Sequence, residues 1–315
     1  MIPDEIKFIL FLIFYIPSTL CTLFVLYHLL FDRTLRQALH NHVIIVLLVI
    51  CLLADGTIYP WMLYYYQNEN TWNRSMIFCT IWGFLDWSLY ILHTMLFAWA
   101  TVERHILIFH DRWILTRKRR LIFHYFPLVF FPIYLFVFYF LVYFIPPCEN
   151  YSDPTYPVCM WPCLYNNYAL SMYDYVVEQL LPTFTIVFCS ITLLRRVLRQ
   201  RVRTQRIIHW KKHRKMAIQV LCISLVYLLL LLPYATIYIL RFYVGLSNPL
   251  LDEFSASTSF ISYFIILLFP FVSAVSLPEL QTKLTNLLLL RRKRQIKPRV
   301  TLLVRVHPNG NDQHN

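Results

Sequence analysis

The sequence predicts an all-α membrane protein: a bundle of seven transmembrane helices followed by an amphipathic helix at the membrane interface. Three observations predict it. Of 315 residues, 58% are apolar or aromatic and only 14% are charged, against roughly 25% charged in soluble domains. Crossing about 30 Å of hydrocarbon takes roughly 20 helical residues, and apolar stretches of that length recur seven times. Of the 29 Lys and Arg residues, all except Lys7, Arg74 and Arg241 fall in alternate connections or in the tail. The net charge of +13 therefore does not lie on a soluble domain, and it does not imply a nucleic-acid partner.

The expected spans are 8–31, 43–66, 76–102, 121–145, 173–194, 216–240 and 254–277. The first is too long for the apolar core of a cleaved signal peptide and reads as a retained signal anchor. The first connection carries Arg33 and Arg36. The third carries Arg104, Arg112 and the run 117–120. The fifth, 195–215, is strongly basic. Basic connections stay cytoplasmic, so the N-terminus is expected outside, at the plasma membrane, and the C-terminus inside. Two glycosylation sequons, at Asn73 and Asn150, fall in connections assigned outside, where glycans are attached.

The eight cysteines divide by place. Cys21, Cys51, Cys189 and Cys222 lie within spans and read as packing residues. Cys79, Cys148, Cys159 and Cys163 lie on the oxidising side, and four cysteines allow three pairings. One bridge is expected between Cys79 and the loop, through Cys159 or Cys163. Cys148 remains among those available for a second.

Beyond the last span, Pro278 can open a new helix. Leu280, Leu284, Leu287 and Leu288 form one stripe, followed by Arg291, Arg292, Lys293 and Arg294. A helix of this kind lies on the leaflet with its basic end toward anionic lipid. Residues 1–294 thus read as one seven-span domain, with the interfacial helix at about 278–294 and a disordered cytoplasmic tail at 295–315.

Glu103-Arg104-His105 interrupts the apolar run at the inner end of the third span. Cys79 lies 25 residues before Arg104, Leu52-Leu53-Ala54-Asp55 crosses the middle of the second span, and Pro182, Pro233 and Pro270 mark spans five, six and seven. On these residues the chain, over about 8–294, resembles the rhodopsin-like (class A) G-protein-coupled receptors, with their D/E-R-Y triplet, mid-membrane Asp and span prolines. Leu230-Leu231-Leu232-Pro233 stands where that family has C-W-x-P, and Phe269-Pro270-Phe271-Val272-Ser273 where it has N-P-x-x-Y.

The resemblance implies a receptor that binds an extracellular ligand in the bundle and activates a heterotrimeric G protein. Glu103 would hold Arg104 until neighbouring helices separate. Arg104 would then meet the partner, with His105, Leu107 and Ile108 beside it. Pro233 and Pro270 would serve as hinges. The inner end of span six reads His213-Arg214-Lys215, without the acidic residue that often completes this lock, so some basal activity is expected.

Charges inside a bundle mark functional sites. The resemblance puts Asp86, 18 residues before Arg104, where amine receptors bind an ammonium, with Tyr263 supporting it. Asp174 and Glu178 share a face of span five, and Tyr234 and Tyr238 follow Pro233. Carboxylates among aromatics suit a cationic ligand, and the expected ligand is a peptide or a cationic small molecule; the bland alternative pairs Arg241 with Asp174 or Glu178. In mid-bundle, Asp55 is expected to bond His93 in place of a sodium site.

No metal-ligand, phosphate-loop or nucleophile-elbow pattern is present, so neither an enzyme nor a cofactor is expected. The rival readings are a transporter or channel, which internal repeats and Gly-broken helices would favour, and a receptor relative that no longer signals.

Overall fold

The computed structural model describes residues 2–68, 74–109, 116–153, 157–203, 207–242, 244–245 and 248–276. Among them, seven helices are long and apolar enough to cross a membrane: Asp4–Phe31, Asn41–Gln67, Met76–Leu107, Arg117–Phe144, Tyr168–Arg195, Ile223–Leu240 and Pro249–Val275. They are spans one to seven below. Asn73, the interfacial helix expected at 278–294 and the tail at 295–315 lie outside the described residues.

Local chemistry explains the ends of these helices. Span five begins earlier than expected because the Asn167 side chain accepts from the backbone N–H groups of Ala169 and Leu170, satisfying two of the donors every helix start leaves open. Span seven begins earlier for the same reason. Asn248 accepts from Leu250 N at 3.2 Å, and Pro249 occupies the first helical position, where its missing N–H costs nothing. The connection expected at 195–215 is largely helix: span five continues to Arg203 and the next helix starts at Ile207. Arg, Lys and Gln are good helix formers, so the basic run extends the spans rather than ending them.

Proline shapes the interiors. Pro60 cannot donate to the carbonyl four residues back, and span two breaks at Thr57, between Leu39–Gly56 and Ile58–Gln67. Two spans widen into π-type turns just before a proline. Leu121–Tyr125 precedes Pro127, and Asp174–Leu180 precedes Pro182. A π turn absorbs the lost hydrogen bond and rotates the side chains that follow.

Span three runs through the centre. Trp82, Leu89, Leu92, Leu96 and Phe97 are all buried. Spans one and four lie outermost, with exposed Ile9, Ile13 and Ile16 on one and Phe126, Phe130 and Ile133 on the other, as expected of surfaces solvated by lipid. At Gly83 a Cβ would sit 2.5 Å from the Tyr143 ring, so only glycine lets spans three and four approach this closely. Phe11 ties span one to the rest, with ring centroids 5.8 Å from Tyr59, 4.8 Å from Phe260 and 5.5 Å from Phe264.

The loop after span four covers the end of the bundle that holds Cys79. A short antiparallel pair, Tyr151–Ser152 with Met160–Trp161, carries it. Cys79 is bonded to Cys159, and Cys148 to Cys163. Arg74 lies over the rings of Tyr65 and Trp82, 4.9 Å and 5.6 Å from their centroids. It also donates to the Pro157 carbonyl. Burial pushes its guanidinium below the ordinary value, but an arginine stays charged after such a shift.

Candidate functional site

The half of the bundle that holds Cys79 also holds Asp86, in a small cavity. The cavity has a volume of about 40 Å³ and is lined by Asp86, Trp87, Tyr90, Tyr234, Ser259, Ser262 and Tyr263. Tyr263 donates to Asp86 Oδ2 at 2.8 Å, while Oδ1 is buried without a hydrogen-bond partner among the described residues. The break in span seven puts Tyr263 there. The helix ends at Ser262 and restarts at Phe264, and Tyr263 N reaches back only three residues, to Phe260 O. Tyr238 stacks on Tyr175 with centroids 4.6 Å apart, and Tyr175 donates to the Ala235 carbonyl at 2.7 Å. These contacts join spans five and six just past Pro233, which itself faces outward.

Asp174 and Glu178 do not line this cavity. They turn toward span four, where Tyr139 donates to Asp174 Oδ1 at 2.8 Å and Tyr134 donates to Glu178 Oε1 at 2.7 Å. Tyr134 spends its one proton on Glu178, so Tyr173, 2.7 Å away, must donate to Tyr134. The widened turn at Asp174–Leu180 contains both acids and shifts them out of the phase an ordinary helix would give. The alternative partner, Arg241, has its side chain outside the described residues.

The Asp55–His93 bond expected from the sequence does not form. The Tyr227 hydroxyl and His93 Nδ1 lie 2.6 Å apart, and His93 Nε2 lies 3.5 Å from Cys51 Sγ. The Cys51 thiol donates onward to the Ile266 carbonyl at 3.7 Å. The polarity of this chain follows from its end. A thiol that gives its proton to a carbonyl accepts from Nε2–H, so Nδ1 accepts from Tyr227. Asp55 faces span one instead, where Tyr15 donates to its backbone carbonyl at 2.9 Å. Phe269, in place of the family's asparagine, is buried against His93 with centroids 4.9 Å apart. A phenyl ring offers a cation no lone pair, so the polar lining that a sodium site needs is missing on that side.

At the end of span three opposite Cys79, Glu103 and Arg104 are 1% and 3% exposed. Glu103 Oε1 is in hydrogen-bonding contact with His124 Nδ1 of span four. His124 Nε2 lies 3.0 Å from His42 Nδ1 of span two, and His42 Nε2 lies 2.9 Å from the Arg36 carbonyl. Neither histidine was anticipated from the sequence. His42 follows His40 at the interfacial end of one apolar span, His124 stands near the interfacial end of another, and no spacing relates the two. Leu107 is half-buried. His105 follows Arg104, half-buried on the same helix, and the side chain of Ile108 lies outside the described residues. Pro270 is buried within span seven.

Asn150, one of the two sequons, is engaged. Its side-chain nitrogen donates to the Tyr143 carbonyl at 3.1 Å and its oxygen accepts from Cys163 N at 3.0 Å.

No curated protein matches the chain. The 7 transmembrane receptor (rhodopsin family) profile matches residues 8–276, which takes in all seven spans and most of the chain. That sets aside the transporter and channel readings, and the chain is a multi-pass membrane receptor of the rhodopsin family.

Proposed function

We propose that this receptor binds a cationic ligand, an amine or a basic peptide, through Asp86 and activates a heterotrimeric G protein through Arg104. One observation carries the ligand class: a buried carboxylate with one oxygen held by Tyr263 and the other unpartnered. An uncompensated buried acceptor costs free energy, and a charged N–H donor at Oδ1 would recover it with a strong, charge-assisted bond. The cavity of about 40 Å³ holds a few waters or an ammonium head group. The rest of a ligand must part Trp87, Tyr234 and Tyr263, which is a way for binding to bias the bundle between two packings.

In this reading the N-terminus is extracellular at the plasma membrane and the basic connections face the G protein. Arg104, Leu107 and Ile108 make contact when spans three and six separate, with Pro233 and Pro270 as hinges. Asp174, Glu178 and Tyr238 support the ligand pocket from behind rather than touching the cation.

The test is G-protein activation in cells expressing the chain, screened with amines and basic peptides. Arg104→Ala should abolish both basal and ligand-driven signal while surface expression persists. Asp86→Asn should weaken a cationic agonist by about 100-fold or more, the scale of a lost buried charge pair. An agonist of unchanged potency on Asp86→Asn removes Asp86 from the site. Loss of a glycan from Asn73→Gln would place that connection outside.

A further inference from the structure

The contact chain at the inner end has a property that none of its members has alone. Arg36 O, His42, His124 and Glu103 are joined by three contacts in series. Both ends are acceptors: a backbone carbonyl and a carboxylate. Three hydrogen bonds need three N–H donors, and two neutral imidazoles supply two. If His42 Nε2–H points at Arg36 O, then His42 Nδ1 accepts, His124 Nε2–H donates, and His124 Nδ1 meets Glu103 with no proton between them. Starting from the Glu103 end moves the gap to Arg36 without closing it. Every tautomer assignment leaves one contact a proton short.

We propose that His124 and His42 are positioning residues for Glu103, forming a relay that ties spans two, three and four to the first cytoplasmic connection only while it holds one extra proton. The proton rests on an imidazole or on the carboxyl, and its loss leaves two acceptors facing each other. The contact that fails is then repulsive, and the inner ends of the spans lose a link.

Local structure supports a built relay. His124 is fully buried and sits in the widened turn Leu121–Tyr125, which rotates it toward span three. Its ring lies 4.6 Å from that of Tyr125, and the His42 ring lies 6.2 Å from Tyr125. Other charged groups lie in the same elements: Arg33 and Arg36 in the first connection, and Arg117, Lys118, Arg119 and Arg120 at the start of span four, are all exposed. Arg104 is next to Glu103 on span three. The Arg36 guanidinium turns to the Leu30 carbonyl at 3.3 Å. Asp32 accepts from the Thr34 hydroxyl at 2.6 Å.

The consequence for signalling rests on the coupling reading above; the relay itself does not. Glu103 neighbours Arg104, so a carboxylate clamped by His124 fixes the helix end from which Arg104 would act. Deprotonation frees that end.

The full chain, purified in lipid nanodiscs without a G protein, tests the relay. Its thermal midpoint, followed by tryptophan fluorescence, should fall by a few degrees as pH rises from about 6 to about 9. Glu103→Gln should remove that slope. A glutamine amide donates to His124 Nδ1, so neutral groups then supply all three protons. If Glu103→Gln keeps the wild-type slope, the relay is wrong. A second readout needs no variant that could misfold. Histidine ¹⁵N NMR and the carboxyl stretch in the infrared should together show, near neutral pH, one doubly protonated imidazole or one protonated carboxyl that disappears with the same pH dependence as the midpoint. Neither signature, or one that persists unchanged to high pH, overturns the proposal. Because no G protein is present, these outcomes stand whether or not coupling through Arg104 is borne out.

Discussion

Two histidine-centred chains cross this bundle, and their proton counts differ. In mid-membrane, Tyr227, His93, Cys51 and the Ile266 carbonyl form three contacts from one hydroxyl, one neutral imidazole and one thiol. Each group gives one proton and the count closes. At the inner end, His42 and His124 lie between two acceptors, and the count falls one short. The difference lies in the ends of the chains. A chain that starts at a donor and finishes at a carbonyl is complete when neutral and has no reason to respond to pH. A chain that starts and finishes at acceptors must take up an extra proton or break. A buried histidine is therefore packing or switch according to what terminates its hydrogen bonds, not according to its depth.

The largest effect that could break this comparison is at Tyr227. Tyr227→Phe leaves buried His93 Nδ1 without a donor and should destabilise the receptor by about 1–3 kcal/mol, read as a lower thermal midpoint by the same amount at every pH. A pH-dependent loss would show that the mid-membrane chain also carries a charge. Next is Cys51→Ala. It removes two weak sulfur contacts and a small buried volume, and should cost about 1 kcal/mol, again without pH dependence.

Tyr263→Phe moves to the outer carboxylate. Losing the hydrogen bond that fixes the Asp86 rotamer should weaken a cationic agonist by roughly five- to tenfold, about 1 kcal/mol, and should also lower the thermal midpoint, because Oδ2 is then buried without its donor. The smallest effect is expected for Tyr134→Phe. Glu178 loses one neutral donor, stability falls by about 1 kcal/mol or less, and agonist affinity is unchanged because Glu178 faces span four. A large affinity loss there would return Glu178 to the ligand pocket.

Much of this architecture is legible in residue types. The apolar runs, the basic bias and the cysteines place spans and loops, because hydrocarbon thickness and the cost of unpaired backbone groups act on any chain in the same way. Asp86 and Tyr263 were singled out by the resemblance to the receptor family, and the structure joins them with one hydrogen bond. The acids of span five were readable as acids but not as to where they point. Their orientation depends on the widened turn at Asp174–Leu180, which no periodicity announces.

What the sequence alone determined is therefore the class, the number of spans and the identity of the charges that must be satisfied inside them, all set by composition and local spacing. What only the tertiary structure decided is who satisfies whom: His93 with Tyr227 rather than Asp55, and Glu103 with His124. The physical reason is rotation. One residue turns a helix face by about 100°, so a single π turn or proline break changes which neighbour a side chain meets. Pairing between spans, such as His124 with His42, then depends on the packing of whole helices and not on the residues near it in the chain.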